Sequence, residues 1–112
     1  MKALFLELPS FARCRPDYLS DDAFRNLQND LMVNPEAGDL IQGTGGLRKI
    51  RYADARRTKG KRGGLRVIYF WWSPGRQFWL FTLYDKGECE DLTPQERQAL
   101  KAMLKWELEA RS

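Results

Sequence analysis

Two runs of β-branched and aromatic residues, separated by a short turn, constrain the fold of this chain more than any other feature of its sequence. The first run is Leu65–Trp72 and the second covers residues 77–84. Residues of these types favour strands, and the Ser-Pro-Gly-Arg segment at 73–76 is typical of a turn. Strands joined by a short turn pair antiparallel. The sequence therefore predicts a β-hairpin.

The N-terminal part predicts a strand followed by a helix. Residues 1–8 form an apolar strand that Pro9 ends. The next residues are ambiguous, and we expect a helical turn there that is broken before Pro16. Ser20 offers an N-cap to a helix that should stop near Asn34, and the apolar residues between them recur at helical spacing. These apolar residues, which we expect in the core, are Ala23, Phe24, Leu27 and Leu31.

A glycine-rich segment leads into a third predicted strand. Residues 36–46 lack the Gly-Lys-Ser/Thr sequence that closes a phosphate-binding P-loop, so we interpret them as a connection. Residues 47–52 read as a strand. Because side chains alternate along a strand, Ile50 shares one face with Arg48 and Tyr52, whereas Lys49 and Arg51 occupy the other.

A capping box marks the start of the last helix. Thr93 is the N-cap, Pro94 is the first helical residue, and Glu96 is the third. The helix should run to about Ala110, and Trp106 lies off the centre of its apolar stripe, where we expect partial exposure. The apolar stripe consists of Leu100, Met103, Leu104 and Leu108.

The order of these elements, β-α-β-β-β-α, predicts an α+β fold. The three later strands should form an antiparallel sheet, with the helices covering one face and leaving the other open. A length of 112 residues suits one domain, which we expect to span residues 1–112.

The composition excludes several classes of catalytic site. The chain has no histidine, which rules out a Ser-His-Asp triad, a His-ligated metal and a histidine general base. Two cysteines, Cys14 and Cys89, are too few for a structural zinc site, and we expect both to be reduced. The longest apolar run, residues 67–72, is far shorter than the roughly 20 residues of a membrane span. We therefore expect a cytoplasmic protein with no metal or cofactor.

Positive charge is concentrated in one segment. Nine basic residues and one acidic residue lie between positions 48 and 66, which gives +8 in 19 residues, whereas the other 93 residues hold 10 basic and 14 acidic groups, or −4. Such a cluster attracts polyanions and can neutralise several phosphates. The alternative is a solvated basic loop without a ligand. The nine basic residues are Arg48, Lys49, Arg51, Arg56, Arg57, Lys59, Lys61, Arg62 and Arg66.

Several motifs occur in order along the chain. They are GGLRKIR at residues 45–51, GGLRVIY at 63–69, LYDKGE at 83–88 and DLT at 91–93. Together they resemble toxins of the RelE/HigB type from bacterial type II toxin–antitoxin pairs, and the HigB branch most of all. The resemblance spans nearly the whole chain. It implies a RelE/ParE-like fold, a small antiparallel sheet packed against helices.

The same resemblance implies an activity and a set of partners. The activity is metal-independent, ribosome-dependent endonucleolytic cleavage of mRNA, which inhibits translation. The partners are the ribosome, the mRNA and a tightly bound antitoxin that is encoded beside the toxin, for which we expect a helix-turn-helix protein. The toxin–antitoxin complex would bind its own operator DNA, chiefly through the antitoxin.

The resemblance also implies roles for individual residues. Lys49 and Arg51 match two basic strand positions that grip RNA phosphates, and Arg51 stands where many relatives carry lysine. Arg66 matches the arginine of an Arg-hydrophobic-hydrophobic-Tyr pattern. Tyr84 and Lys86 lie near a second cluster of functional residues. We take these five residues as the candidate catalytic set.

The chemistry of RNA cleavage is compatible with that set. If the ribose 2′-OH attacks the adjacent phosphate, the protein must supply a base, stabilise the phosphorane and protonate the leaving oxygen. The fork of Arg66 could stabilise the phosphorane, with added charge from Arg51. Tyr84 or Lys86 could donate the proton.

The identity of the general base stays open at this point. Lys49 can act as a base only if its pKa falls from about 10.4 toward neutrality. Asp85 or Glu88 could serve instead.

The remaining cations and the tryptophans have other expected roles. We expect Arg48, Arg56, Arg57, Lys59, Lys61 and Arg62 to dock on ribosomal RNA or on the antitoxin. Trp71, Trp72 and Trp79 could stack on bases, but core packing is favoured.

The alternative function is a non-enzymatic binding module. Such a module would be an RNA- or ribosome-binding protein, or a gyrase inhibitor of the ParE type. A purely binding protein would not need a tyrosine near the strand arginine, so the set of Lys49, Arg51, Arg66 and Tyr84 favours the nuclease.

Overall fold

The computed structural model describes residues 2–52, 64–87 and 91–111. Within these ranges the chain is α+β, as predicted, with one five-stranded sheet in the order β1-β5-β4-β3-β2. The predicted RNA contacts between positions 56 and 62, together with Glu88 and Cys89, lie outside the described residues. The elements are β1 (Leu4–Glu7), α1 (Pro9–Tyr18), α2 (Asp21–Val33), β2 (Asp39–Leu40), β3 (Arg48–Tyr52), β4 (Leu65–Trp72), β5 (Gln77–Asp85) and α3 (Pro94–Arg111).

The sheet is built around the predicted hairpin. Strands β4 and β5 pair antiparallel, and β3 pairs antiparallel with β4, so the antiparallel arrangement of the three later strands is confirmed. Two features were not predicted. Strand β1 runs parallel to β5, which makes the sheet mixed, and the two-residue strand β2 pairs with β3 from within the glycine-rich segment.

Helix α1 corrects the prediction of a broken helical turn. It begins with Pro9 at its first position and continues through Pro16 to Tyr18. A proline inside a helix removes one hydrogen bond, but Pro16 lies near the end of the helix, where few further bonds follow. Phe11 is fully buried, with its ring centroid 5.6 Å from that of Phe24. This tertiary contact outweighs the local preference of the residue before the proline.

Helices cover both faces of the sheet, so the prediction of one open face is wrong. The first core packs α1 and α2 against one face, and the second packs α3 against the other. Consecutive residues of β4 serve both cores, because Val67 and Tyr69 face the first and Ile68 faces the second. The unbroken apolar run of β4 is the pattern of a strand that is buried on both sides.

The two longer helices begin where the sequence predicted. The Ser20 hydroxyl accepts a hydrogen bond from the Ala23 amide at 3.1 Å. In the capping box, Thr93 Oγ1 accepts from the Glu96 amide at 3.1 Å, and a Glu96 carboxylate oxygen accepts from the Thr93 amide at 2.8 Å. Each capping interaction contributes about 1 kcal/mol.

The apolar stripe of α3 is narrower than predicted. Leu100 and Leu104 are buried, and Leu108 packs against the second core. Met103 is 38% exposed, and Trp106 is 67% exposed, so the expected exposure of Trp106 is confirmed and the expected burial of Met103 is not. Across the described ranges, the structure has no helix with the length and apolar character of a membrane span.

Tyr69 ties the segment that contains β2 to the sheet. Its hydroxyl donates to the Pro35 carbonyl at 2.8 Å and accepts from the Gly38 amide at 3.0 Å. Burial raises the pKa of Tyr69, which keeps the hydroxyl protonated as a donor. Gly38 is required there, since a Cβ would lie 2.9 Å from the Tyr69 ring.

Replacing Tyr69 with phenylalanine is expected to lower the free energy of unfolding by about 1–3 kcal/mol. The change leaves a buried amide and a carbonyl without their partner, and each such group costs its desolvation. Urea unfolding measures the effect. Tyr52→Phe is the matched control on the same face, since the Tyr52 hydroxyl makes no hydrogen bond within the described ranges. Equal losses in the two variants would contradict the prediction.

Candidate functional site

Pairing of strands β3, β4 and β5 brings the predicted catalytic residues together. Arg51 lies directly opposite Arg66 across β3 and β4, and Arg66 lies directly opposite Tyr84 across β4 and β5. Neighbouring strands are about 4.8 Å apart, so the three residues form a row across one face of the sheet. Lys49 shares this face with Arg51 by strand alternation. This is the face that α3 covers.

A cleft of about 290 Å³ opens at the end of this row. Lys49 and Arg51 lie on one side of it, and Arg97 from the first part of α3 lies on the other. Residues 39–42 of the glycine-rich segment form a third wall. Among the described residues, the lining includes three basic side chains and two acidic ones, Asp39 and Asp91, so these five side chains together carry a net charge of +1.

Asp91 lies between the cations of the cleft. One carboxylate oxygen is 3.5 Å from the Lys49 ammonium, and the other is 3.8 Å from the Arg97 guanidinium. The Leu92 amide donates a 2.8 Å hydrogen bond to Asp91. That hydrogen bond, and then the charges of Lys49 and Arg97, lower the pKa of Asp91, so its carboxylate is charged at neutral pH.

Arg66 is more deeply placed than the other cations. It is only 6% exposed, and its Nη1 donates to the Leu65 carbonyl at 3.2 Å. Arg66 and Tyr84 each make a further interaction, and Tyr84 packs against the second core. Arg51 is the residue of the row that lines the cleft. Arg66 lies one strand beyond Arg51, and Tyr84 lies two strands beyond it.

The other candidates for acid–base chemistry have different surroundings. Lys86 is exposed in the turn after β5, where its amide donates to the Gly64 carbonyl at 2.7 Å. Asp85 is 1% exposed and accepts a 2.7 Å hydrogen bond from the Gly87 amide. Alternation along β5 places Asp85 on the face opposite to Tyr84, away from the cleft.

Arg48 lies apart from the other basic residues of β3. Strand alternation places it on the opposite face, as predicted, where its guanidinium donates to the Gly38 carbonyl at 2.8 Å and to the Glu36 carbonyl at 3.2 Å. It also pairs with the Glu36 carboxylate at 3.3 Å. These contacts anchor the segment before β2, and an RNA contact of Arg48 stays a prediction.

Core packing of the tryptophans is confirmed for Trp79, which is fully buried with its ring centroid 5.5 Å from that of Trp72. Trp71 packs against Phe78 at 4.5 Å between ring centroids. Trp71 and Trp72 are partly buried, Trp71 against the first core and Trp72 against the second.

Residues 39–42, Asp91 and Arg97 line the cleft but were not predicted from the sequence as site residues. Asp91 was noted only as part of a motif, and Arg97 was not noted at all. The available signal was their position around the capping box, because residues just before and just inside a helix start lie at the end of the element. Which part of the sheet that end faces depends on tertiary structure.

The arrangement is suited to holding a phosphodiester. Ammonium and guanidinium groups on two sides of a cleft can bind the oxygens of one phosphate. Lys49 is already paired with Asp91 at 3.5 Å, and a role for Lys49 as base would require that pair to break. In the described part of the chain, no three His, Cys, Asp or Glu residues are grouped to hold a metal.

Solved structures share this fold. No family model matches the chain. The isolated toxin RelE of E. coli is 12% identical, with 91% of this chain and 99% of that chain aligned at a TM-score of 0.54. A free-state variant of E. coli RelE with two arginines replaced by alanine is 13% identical to this chain. The alignment covers 80% of this chain and 90% of that chain at a TM-score of 0.54. A chain of the intact RelBE toxin–antitoxin complex of E. coli is 13% identical. The alignment covers 75% of this chain and 96% of that chain at a TM-score of 0.52. The chain therefore has a RelE-like fold, as the motifs predicted.

Proposed function

We propose that this protein is the toxin of a type II toxin–antitoxin pair and that it cleaves mRNA on the ribosome. The observation that carries the proposal is the row of Arg51, Arg66 and Tyr84 beside the cleft that holds Lys49. A RelE-like fold is compatible with many functions in principle. The row supplies charge and a proton donor on the face of the sheet that carries the cleft.

The proposed reaction is an internal transfer at phosphorus. The ribose 2′-oxygen forms a bond to the adjacent phosphorus while the bond from phosphorus to the 5′-oxygen breaks, which leaves a cyclic phosphate and a 5′-hydroxyl. Arg66 and Arg51 stabilise the negative charge of the phosphorane, and Lys49 holds a neighbouring phosphate. The proton of the 2′-hydroxyl passes to solvent water. Tyr84 or Lys86 protonates the leaving oxygen and is then reprotonated from solvent, so one proton is lost and one is gained, and no metal is required.

The described lining of the cleft carries little net charge, and this is why we include the ribosome. A net charge of +1 among the described lining residues gives little hold on a long RNA. An mRNA that is already fixed and oriented on the ribosome needs less binding energy from the toxin. We propose that the basic residues at positions 56, 57, 59, 61 and 62 add contacts to ribosomal RNA, and that the protein acts in the cytoplasm.

A cognate antitoxin is the second proposed partner. The RelBE neighbour is a toxin–antitoxin complex, and a toxin of this kind requires an inhibitor in the cell that makes it. We propose a helix-turn-helix protein encoded beside the toxin, which would carry the complex to its operator DNA. Co-purification of the adjacent gene product with the toxin tests this partner.

The low net charge of the described lining residues also favours the alternative function. A non-enzymatic module, such as a ribosome-binding protein or a ParE-like gyrase inhibitor, would need neither a general base nor a highly charged groove. The two functions differ in what happens to RNA.

Mapping RNA 5′ ends after induction separates the two functions. We expect translation to stop and new 5′ ends to appear within codons of translated messages. The control is the Lys49→Ala/Arg51→Ala double variant, in which both changes remove cations from the wall of the cleft, and we expect few new ends with it. Purified RNA should be cut with ribosomes present and stay intact without them. Intact messages with arrested replication would reject the nuclease and support gyrase inhibition.

A further inference from the structure

A carboxylate lies where the cleft would be expected to hold phosphate. The two oxygens of Asp91 face two different cations, Lys49 at 3.5 Å and Arg97 at 3.8 Å. A phosphodiester likewise carries one negative charge shared by two oxygens and would bridge the same pair. The carboxylate therefore matches a bound phosphate in both charge and the number of its contacts.

The contacts of Asp91 with the cations are loose enough to be exchanged. Charge-assisted hydrogen bonds between nitrogen and oxygen are typically about 2.7–2.9 Å long, and both distances here are well beyond that range. The three side chains are 30%, 54% and 40% exposed in the order Lys49, Asp91 and Arg97. Exposed ion pairs of this kind contribute little to stability, so an incoming anion can replace the carboxylate.

Arg97 has unused capacity to bind an anion. Its Nε is buried and has no hydrogen-bond partner among the described residues, although buried N–H groups are normally paired. A phosphate that enters between Lys49 and Arg97 can accept from the guanidinium fork. The Asp91 carboxylate is held by the Leu92 amide, which fixes it at the margin of the cleft.

We propose that Asp91 occupies, in the free protein, an anion subsite formed by Lys49 and Arg97 that an RNA phosphodiester takes on binding. The inference rests on the proposed RNA-binding function and adds Arg97 to the RNA contacts. Asp91 is then a competitor of RNA. Its removal raises the net charge of the described lining residues from +1 to +2 and releases both cations from this carboxylate.

Asp91→Asn tests the competition. The amide oxygen of asparagine can still accept from the Leu92 amide, so the local structure is retained while the charge is lost. The probe is a labelled single-stranded RNA with 2′-O-methyl riboses, which cannot be cleaved through the 2′-OH. At low salt we expect the variant to bind this RNA about two- to five-fold more tightly than the unmodified protein, the range for release of exposed ion pairs.

Asp22→Asn is the matched control for net charge. Asp22 is also an exposed carboxylate in an ion pair, with Arg25 at 3.7 Å, but it lies on α2 and outside the cleft. We expect its effect on RNA binding to stay below about 1.5-fold. A double-mutant cycle gives a second readout: in an Arg97→Ala background, the gain from Asp91→Asn should shrink, because one of the two freed cations is missing.

Every result of the RNA-binding comparison either supports or overturns the proposed anion subsite. Weaker binding by Asp91→Asn would mean that Asp91 positions the cations, and a gain no larger than that of Asp22→Asn would leave only a general charge effect. Either result overturns the proposal, as does failure of both Asp91→Asn and the unmodified protein to bind. Because the probe cannot be cut, tighter binding by the variant supports the subsite even if RNA mapping rejects the nuclease.

Discussion

Replacing Arg66 with alanine is expected to lower the rate of ribosome-dependent mRNA cleavage by about 100- to 1,000-fold, the usual cost of removing one preorganised donor from a site of developing negative charge. Arg66 lies between Arg51 and Tyr84 on adjacent strands. Its burial, at 6% exposure, holds the guanidinium in place before the substrate arrives. Cleavage of a defined message on purified ribosomes measures the effect.

Two further variants separate chemistry from folding. Arg66→Lys keeps the charge but loses the planar fork, and we expect it to recover only a small part of the activity. Arg25→Ala removes an arginine that is exposed on α2, and we expect full activity. Because Arg66 also contacts the Leu65 carbonyl, urea unfolding should accompany the assay. A folded Arg66→Ala protein that cuts at the normal rate would remove this residue from the proposed site.

Replacing Trp79 with alanine is expected to lower the free energy of unfolding by about 3–5 kcal/mol, the usual cost of a large-to-small change in a core. Trp79 is fully buried in the second core. Its ring centroid lies 5.2 Å from that of Phe70, and the Arg111 guanidinium lies over the Trp79 ring, 4.8 Å from its centroid. Its indole N–H donates to the Gln77 side chain at 2.9 Å. The change would empty the space between the sheet and α3.

Trp106→Ala is the matched control for that prediction. The same side chain is removed from α3, but from a position that is 67% exposed, so we expect a change within about 0.5 kcal/mol. Urea unfolding of both variants gives the comparison, with the slope of the transition checked for two-state behaviour. Similar losses in the two variants would mean that the second core contributes little to stability.

Most of the sheet could be predicted because its signals are local. The run of β4, the Pro-Gly turn and the alternation of β3 predicted the strands and the face that Lys49 and Arg51 share. The helix starts at Ser20 and Thr93 followed from capping residues, whose effect depends on only a few neighbouring positions.

The features that were missed depend on contacts between distant residues. The parallel pairing of β1 leaves no pattern within β1 itself. The continuation of α1 through Pro16 depends on Phe11 packing against Phe24. The cleft joins β3 to the start of α3, so neither Asp91 nor Arg97 could be assigned to it from its own sequence neighbours.

The parallel pairing of β1 with β5 has a consequence for synthesis of the protein. Leu4 pairs with Gln77, which is 77 − 4 = 73 positions later in the chain. A nascent chain therefore carries its first strand without a partner until β5 has been made, and pairing across so long a separation is slow. The edge of the sheet is therefore completed only after β5 has been made. For a protein proposed to attack translating ribosomes, this order delays the finished fold until the ribosome has read the codons for β5.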